Sequence, residues 1–202
     1  MSNTDRYRTA RDQLVDLITD YDKAVATFQW PELTGQFNWA TDWFDVVAGR
    51  SRSGGSVSYS NHRTALWIVE QDGTEQKVTF AQMARRSDQV ATWLRGLGVG
   101  KGDRVILMLG NQVELWESML AVAKLGAVIL PTTAALGPDD IADRLARGGA
   151  RFVIANALDT GKFDGLDAQF TGVTVGGSVP GWHAYADAET SEPAGSFDPG
   201  TA

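Results

Sequence analysis

Residues 102–133 constrain the fold more than any other part of the chain, because they read as a strand, a helix and a second strand. Residues 103–109 form a short apolar run rich in residues that favour strands, and residues 127–130 form another, which Pro131 ends. Units of this kind build parallel sheets with helices packed on their faces. The sequence therefore predicts an α/β fold.

The helix of this unit is expected to be packed on several sides. Asn111 is a suitable N-cap, Glu114 follows at the capping-box position, and Gly126 stops the helix. Trp116 lies midway along the helix, so we expect it to be buried and its replacement by alanine to cost about 3–5 kcal/mol. Apolar residues cover most of the circumference: Val113, Leu115, Trp116, Met119, Leu120, Val122, Ala123 and Leu125.

The rest of the chain continues the alternation of strands and helices. A hairpin is predicted at residues 65–79, where Thr79 caps the next helix, and Pro138 begins a later helix that Gly148 and Gly149 break. We expect a three-layer α/β subdomain with a mainly parallel sheet, preceded by an N-terminal helix and a short hairpin. The predicted core strands are residues 105–109, 127–130 and 152–155, and a last strand is predicted at residues 170–175.

Three regions are predicted along the chain. Residues 1–60 contain an amphipathic helix (residues 4–28), an aromatic segment leading into a short helix (residues 43–48) and a flexible loop (residues 49–60). The first helix either lies on its own domain or binds a partner. Residues 61–176 form the α/β subdomain, and residues 177–202 form a polar linker or frayed end.

Composition excludes several classes of function. The net charge of −7 argues against a nucleic-acid or anionic-membrane surface, and the absence of cysteine removes disulfides and thiolate chemistry. The two histidines, His62 and His183, lie far apart without a ligand pattern, so no metal site is predicted. With no membrane-spanning run and no signal-peptide core, we expect a cytoplasmic protein.

Two glycine-rich runs invite comparison with phosphate-binding loops. One is residues 49–60, with Arg50 and Arg52, and the other is GLGVGKGD at residues 96–103. A phosphate loop follows a strand and opens a helix, whereas neither run has that setting in the predicted order of elements. We interpret the first as a loop and the second as a turn.

Six segments in register resemble the N-terminal part of AMP-forming, adenylate-forming acyl-CoA synthetases, closest to the medium-chain and benzoate type. The resemblance covers about residues 37–155, and its motifs mark the fold rather than the chemistry. The segments are FNWATDWFD (37–45), ALWIVEQDG (65–73), VTFAQM (78–83), GDRVILMLGNQVELWE (102–117), LGAVILPTT (125–133) and DIADRLARGGARFVIA (140–155).

The resemblance implies joining of a fatty or aromatic carboxylic acid to AMP from ATP, followed by transfer of the acyl group to coenzyme A. Such enzymes need a phosphate loop of the TSGTTG kind, an acidic ribose ligand and a lysine from a mobile C-terminal domain, and this sequence contains no such loop. We therefore assign no catalytic residue. The whole enzyme would use ATP, Mg²⁺ and coenzyme A, whereas none is expected to bind tightly to this chain.

A coenzyme A channel is implied near residues 131–136, with Thr132, Thr133 and Ala135 as candidate binding residues. Relatives of the medium-chain type carry a polar side chain where this sequence has Ala135, which leaves a backbone contact there. The alternative is that the loop only caps a strand.

Three hypotheses about function follow. The chain is a piece of an acyl-CoA synthetase that is inactive alone, a stand-alone binding or regulatory module, or one half of a split enzyme. The sequence does not identify the acyl substrate. Parallel strands are normally covered by neighbouring elements on both sides. We therefore also expect self-association through sheet surface that is left exposed.

Overall fold

The computed structural model describes residues 2–53 and 56–193 and contains strands and helices in alternation. The strands are β1 (Ser51–Ser53), β2 (Ser56–Ser58), β3 (Thr64–Val69), β4 (Glu75–Thr79), β5 (Arg104–Met108), β6 (Val128–Pro131), β7 (Phe152–Asn156), β8 (Thr171–Val175) and β9 (His183–Ala184). The helices are α1 (Asn3–Asp16), α2 (Tyr21–Thr27), α3 (Asp45–Val47), α4 (Phe80–Gly96), α5 (Val113–Lys124) and α6 (Pro138–Gly148). A π-helical turn (Trp39–Phe44) precedes α3, and two 3₁₀ helices span Ala157–Phe163 and Tyr185–Thr190.

The main sheet confirms the predicted three-layer fold. Its strands are parallel and lie in the order β6-β5-β7-β8-β9. Alternate side chains of β5 point to opposite faces, as the pleat requires. Val105 and Leu107 pack with α4 and α5 on one face, whereas Ile106 and Met108 pack with α6 on the other.

Local signals place several elements where the sequence predicts them. β3 and β4 form an antiparallel hairpin, and Thr79 and Gln82 form the capping box that begins α4. Pro138 occupies the first turn of α6, and Gly149 ends that helix at a φ of 59°. Each of these signals acts within a few residues, which is why sequence alone locates them.

The N-cap of α5 differs from the prediction. Gln112 occupies the N-cap position and makes no side-chain capping bond. The side-chain oxygen of Asn111 instead accepts a hydrogen bond from the Trp116 indole nitrogen at 3.2 Å. The predicted capping box is therefore wrong, because the Asn111 amide is engaged by an indole one turn along the helix.

Trp116 is also less buried than expected. Its exposed fraction is 41%, because the most buried positions of α5 include the polar residues Glu117, Ser118 and Lys124. These residues have partners on neighbouring elements, as described below. Because they occupy the inward face of α5, Trp116 lies at the boundary between the buried face and solvent. The prediction of a buried Trp116 is wrong, although the helix itself is confirmed.

Replacing Trp116 by alanine is therefore expected to lower the free energy of unfolding by only about 1–2 kcal/mol, below the range for a fully buried aromatic. Leu120 on the same helix is 7% exposed, and Leu120→Ala should cost about 2–5 kcal/mol. Urea denaturation of both variants measures the difference. A loss above about 3 kcal/mol for Trp116→Ala would contradict the exposure seen here.

The N-terminal helix is divided into two. α1 packs on the aromatic segment, with the Tyr7 ring 4.9 Å from that of Trp43, but α2 contains no buried residue. Asp20 begins α2 by accepting a hydrogen bond from the Lys23 backbone. The expectation of one helix lying on its domain is thus wrong for α2, whose apolar side chain Val25 is 67% exposed.

Other segments also have more structure than predicted. The expected short helix at residues 43–48 begins earlier, as the π-helical turn that runs into α3. The loop expected at residues 49–60 contains the antiparallel pair β1 and β2, with Gly54 and Gly55 outside the described residues. Residues 177–193, expected to be a polar linker or frayed end, contain β9 and the second 3₁₀ helix, and residues 194–202 lie outside the described part. No helix in the described ranges combines the length and apolarity needed to cross a bilayer.

Candidate functional site

The loop that follows β6 carries the predicted coenzyme A residues, and Thr132 is turned inward there. Its backbone nitrogen donates to the Leu107 carbonyl at 3.0 Å, and its hydroxyl donates to the Leu130 carbonyl at 3.1 Å. Thr132 is buried, so its polar atoms fix the loop to β5 and β6. These contacts give Thr132 a part in holding the loop, and its role toward coenzyme A stays a prediction.

Thr133 and Ala135 lie on the exposed side of the same loop. The Thr133 hydroxyl accepts a hydrogen bond from the Ala135 backbone nitrogen at 3.2 Å, which tightens the turn. Lys162, from the 3₁₀ helix after β7, donates to the carbonyl of Ala134 and to the Asp159 carboxylate. A cation thus stands beside the loop at the carboxyl ends of β6 and β7, where open parallel sheets bind ligands.

Lys162 was not identified from the sequence. It lies 28 residues from Ala134 along the chain, and no spacing motif connects the two. Only the parallel pairing of β5 with both β6 and β7 brings them together.

A buried charged cluster lies on the other side of α5. The Lys124 ammonium is 2.6 Å from a carboxylate oxygen of Asp88 on α4 and 2.9 Å from one of Asp45 on α3, and all three side chains are fully buried. Arg50 contacts the other Asp45 oxygen at 3.2 Å, and the Tyr59 hydroxyl donates to Asp88 at 2.5 Å. Two cations therefore balance two anions.

The surroundings of the cluster affect its acidic groups. Burial raises the pKa of Asp45, although the neighbouring Lys124 partly opposes this effect. Burial also raises the pKa of Tyr59 above its ordinary value, with Asp45 and Asp88 adding to the shift. The cluster joins three segments of the chain, and its three central charged side chains, Lys124, Asp45 and Asp88, are fully buried, so we assign it a structural role.

A polar cleft of about 510 Å³ lies between α4, α5 and the 3₁₀ helix Tyr185–Thr190. Glu117 lines it, with one carboxylate oxygen 3.3 Å from Arg86 and the other 3.4 Å from the Tyr185 hydroxyl. Burial raises the pKa of Glu117 to about 7, with Glu114 adding to the shift and Arg86 opposing it. The cleft contains a carboxyl group that titrates near neutral pH.

An apolar cleft of about 350 Å³ opens beside β6, one of the two edge strands of the sheet as described. Trp39, Trp116 and Ile129 are among its lining residues. Val128 and Thr132 direct their backbone nitrogens toward β5, so the backbones of Ile129 and Pro131 face outward. Because proline has no N–H, the outer edge of β6 is poorly suited to pairing with another strand.

The glycine-rich runs lie outside any phosphate-loop setting. The run at residues 96–103 follows α4 and precedes β5, which confirms its interpretation as a turn. Gly98 and Gly102 adopt φ values of 97° and 81° there, as turns require. Across the described ranges, no group of three His, Asp or Glu side chains is placed to hold a metal ion.

A family model described as AMP-binding enzyme matches residues 56–196. The human mitochondrial acyl-coenzyme A synthetase ACSM2B is 30% identical over 136 residues, which is 66% of this chain and 23% of that protein. The Mycobacterium tuberculosis long-chain-fatty-acid–CoA ligase FadD13 is 34% identical over 104 residues, covering 52% of this chain and 21% of that protein. The chain thus spans about a quarter of the length of these relatives.

Solved structures share the fold. An acyl-CoA synthetase from Brucella canis matches with a TM-score of 0.70 and 25% identity, covering 86% of this chain and 32% of that one. The anthranilate CoA ligase AuaEII, in complex with anthranoyl-AMP, matches with a TM-score of 0.63 and 25% identity. The match covers 80% of this chain and 30% of that one. A benzoate CoA ligase from Burkholderia xenovorans LB400, at 22% identity and a TM-score of 0.64, shares the fold.

Proposed function

Because the chain belongs to the AMP-binding enzyme family, we propose that it is the N-terminal part of an ATP-dependent acyl-CoA synthetase. In the proposed reaction, a carboxylate attacks the α-phosphorus of ATP and releases pyrophosphate, and the thiol of coenzyme A then displaces AMP from the acyl adenylate. The observation that carries the proposal is the family match over residues 56–196, together with the parallel sheet that this segment forms.

The described residues are better suited to bind coenzyme A than to bind ATP and Mg²⁺. ATP and Mg²⁺ would need a phosphate-cradling loop between a strand and a helix, which the described ranges do not contain. The loop after β6 suits coenzyme A better, because the Lys162 ammonium, which is paired with Asp159, lies next to the exposed Thr133 and Ala135 and could also contact a phosphate. We assign Thr132 the task of holding this loop in place.

The acyl group in this proposal is a fatty or aromatic acid. Two of the similar proteins are named for a long-chain fatty acid and for anthranilate. The described residues supply the scaffold and the coenzyme A loop, and the residues that select the acyl group would belong to the rest of the enzyme.

This chain alone is expected to show no carboxylate-dependent exchange of pyrophosphate into ATP. Adenylation depends on donors arranged around the phosphates, and their loss removes a large share of the rate enhancement. The measurement is isotope exchange with a fatty or aromatic acid, compared with a sample without protein. Exchange clearly above that background, abolished by a substitution in residues 102–133, would mean that the chain is a complete catalyst.

Coenzyme A is expected to bind weakly to this chain, at millimolar concentration, which corresponds to about 4 kcal/mol of binding free energy. In NMR spectra, its addition should shift the backbone amides of residues 132–136 and of Lys162. Lys162→Ala should reduce these shifts several-fold because it removes the cation beside the loop.

Lys101→Ala is the matched control, because Lys101 is an exposed cation in the turn before β5. Its spectra should respond to coenzyme A as the wild type does. Shifts confined to other parts of the sheet, or equal shifts in Lys162→Ala, would mean that the loop only caps β6.

A further inference from the structure

The segment of residues 183–191, here called the strap, is held to the domain largely by side chains. Its backbone pairs with β8 at only two positions, Val173 with His183 and Thr174 with Ala184. The side-chain amide of Gln89 on α4 donates to the carbonyls of Glu189 at 2.8 Å and Ser191 at 3.2 Å. The strap is therefore held mainly by side-chain contacts with α4 and α5.

Tyr185 is the main anchor of the strap, and it covers Glu117. Tyr185 is 7% exposed, and its ring lies edge-on to that of Trp93 of α4, with ring centroids 6.4 Å apart. Its hydroxyl accepts a hydrogen bond from Ser118 at 3.3 Å and donates one to the Glu117 carboxylate at 3.4 Å. Glu117 is 6% exposed beneath it, so an acidic group is enclosed at the interface between strap and helix.

Arg86 and the Tyr185 hydroxyl favour the ionised form of Glu117, but burial outweighs them and raises its pKa to about 7. Arg86 lies 3.3 Å from it, but the Arg86 side chain is 47% exposed, and water weakens the attraction. Glu114 and Glu189 add negative charge to the same cleft. The titratable and polar groups that line the cleft or contact Glu117 are Gln76 from β4, Arg86 and Gln89 from α4, Glu114 and Ser118 from α5, and Tyr185 and Glu189 from the strap.

We infer that the strap closes over a neutral Glu117 and is released when this carboxyl group ionises. An enclosed carboxylate loses hydration that the protein around it does not fully replace, whereas an opened strap lets water reach it. Tyr185 stays neutral in the closed state, because burial raises its pKa well above the ordinary value. The switch is therefore the single carboxyl group of Glu117.

Linkage determines the direction of the pH effect. The pKa of Glu117 is raised to about 7 in the closed state, and contact with water lowers it toward the ordinary value of 4.5 in the open state. Between these two values the closed state binds more protons, so the equilibrium constant for opening increases as pH rises and levels off above the closed-state pKa. Each pKa unit of difference gives about a tenfold change in that constant.

Amide hydrogen exchange measures this opening directly. In the whole chain, after correction for the intrinsic pH dependence of exchange, strap amides should lose at least about tenfold in protection between pH 5 and pH 8. Amides of β5 and β7 report global unfolding and should keep higher protection throughout. Unchanged strap protection across this range in the wild type would overturn the inference.

Three variants identify the titrating group. Glu117→Gln keeps the size of the side chain and should make strap protection independent of pH. Arg86→Gln removes the compensating cation, so it should move the transition to higher pH. His183→Gln is the matched control, since it replaces the exposed imidazole at the start of the strap, and it should leave the transition in place. A transition lost in His183→Gln but kept in Glu117→Gln would refute the role of Glu117.

Discussion

Replacing Lys124 by methionine is expected to lower the free energy of unfolding by about 3–5 kcal/mol. The substitution leaves Asp45 and Asp88 fully buried with Arg50 as the remaining cation of the cluster. Methionine fills most of the space of the lysine side chain. The loss of stability therefore measures the removal of the charge and not the creation of a cavity. Urea denaturation at pH 7 is the measurement, and Lys101→Met, at an exposed position, should change stability by less than about 0.5 kcal/mol.

A second substitution tests the electrostatic explanation. Asp88→Asn combined with Lys124→Met restores the balance of charge, because Arg50 and Asp45 remain paired at 3.2 Å. Asparagine also retains an oxygen that can accept the hydrogen bond from Tyr59. The double variant should therefore be more stable than Lys124→Met alone by at least about 1 kcal/mol. If the loss of stability in the double variant equals the sum of the losses in Lys124→Met and Asp88→Asn alone, the cluster does not act as a charge-balanced unit.

Replacing Gly172 by alanine is expected to destabilise the protein by about 1–3 kcal/mol, because the site is already filled. A Cβ atom at this position in β8 would lie 2.5 Å from ring atoms of Trp182, closer than side chains approach each other. Trp182 cannot withdraw easily, since Phe163 and Phe170 hold its ring at centroid distances of 5.4 Å and 5.7 Å. The added methyl group must displace this aromatic cluster.

Gly96→Ala is the control for Gly172→Ala. Gly96 ends α4, is exposed, and has no atom within 4 Å of an added Cβ. Alanine there should be neutral or should stabilise the helix by up to about 1 kcal/mol. Thermal denaturation followed by tryptophan fluorescence compares the two variants. Equal stability of Gly172→Ala and the wild type would show that Trp182 moves without cost.

The order of elements could be predicted because its signals are local. The capping box at Thr79, the proline that begins α6 and the apolar run of β5 each act within a few residues of the element they define. The fold class follows from their alternation, and its three layers follow from the two faces of a parallel sheet. Contacts between distant segments are not needed for these predictions.

The burial of particular side chains on α5 could not be predicted in the same way. Hydrophobicity favours Trp116 over Lys124 as a core residue, yet Lys124 is fully buried. The ammonium is stabilised by Asp88, 36 residues away, and by Asp45 from still earlier in the chain, and neither pairing has a sequence signature. Pro131 ends β6, so the position of the following loop can be predicted from sequence, whereas its neighbour Lys162 depends on strand order, which spacing does not encode.

The buried cluster around Lys124 also has a consequence for how the chain folds. Its ammonium contacts carboxylates from α3 and α4, so a state in which either helix is undocked contains an ammonium or a carboxylate without its partner in an apolar interior. Such half-assembled states are high in free energy and should be sparsely populated. The segment that carries α3 and the parallel sheet should therefore melt together, in one transition with the same midpoint for tryptophan fluorescence and for far-ultraviolet circular dichroism.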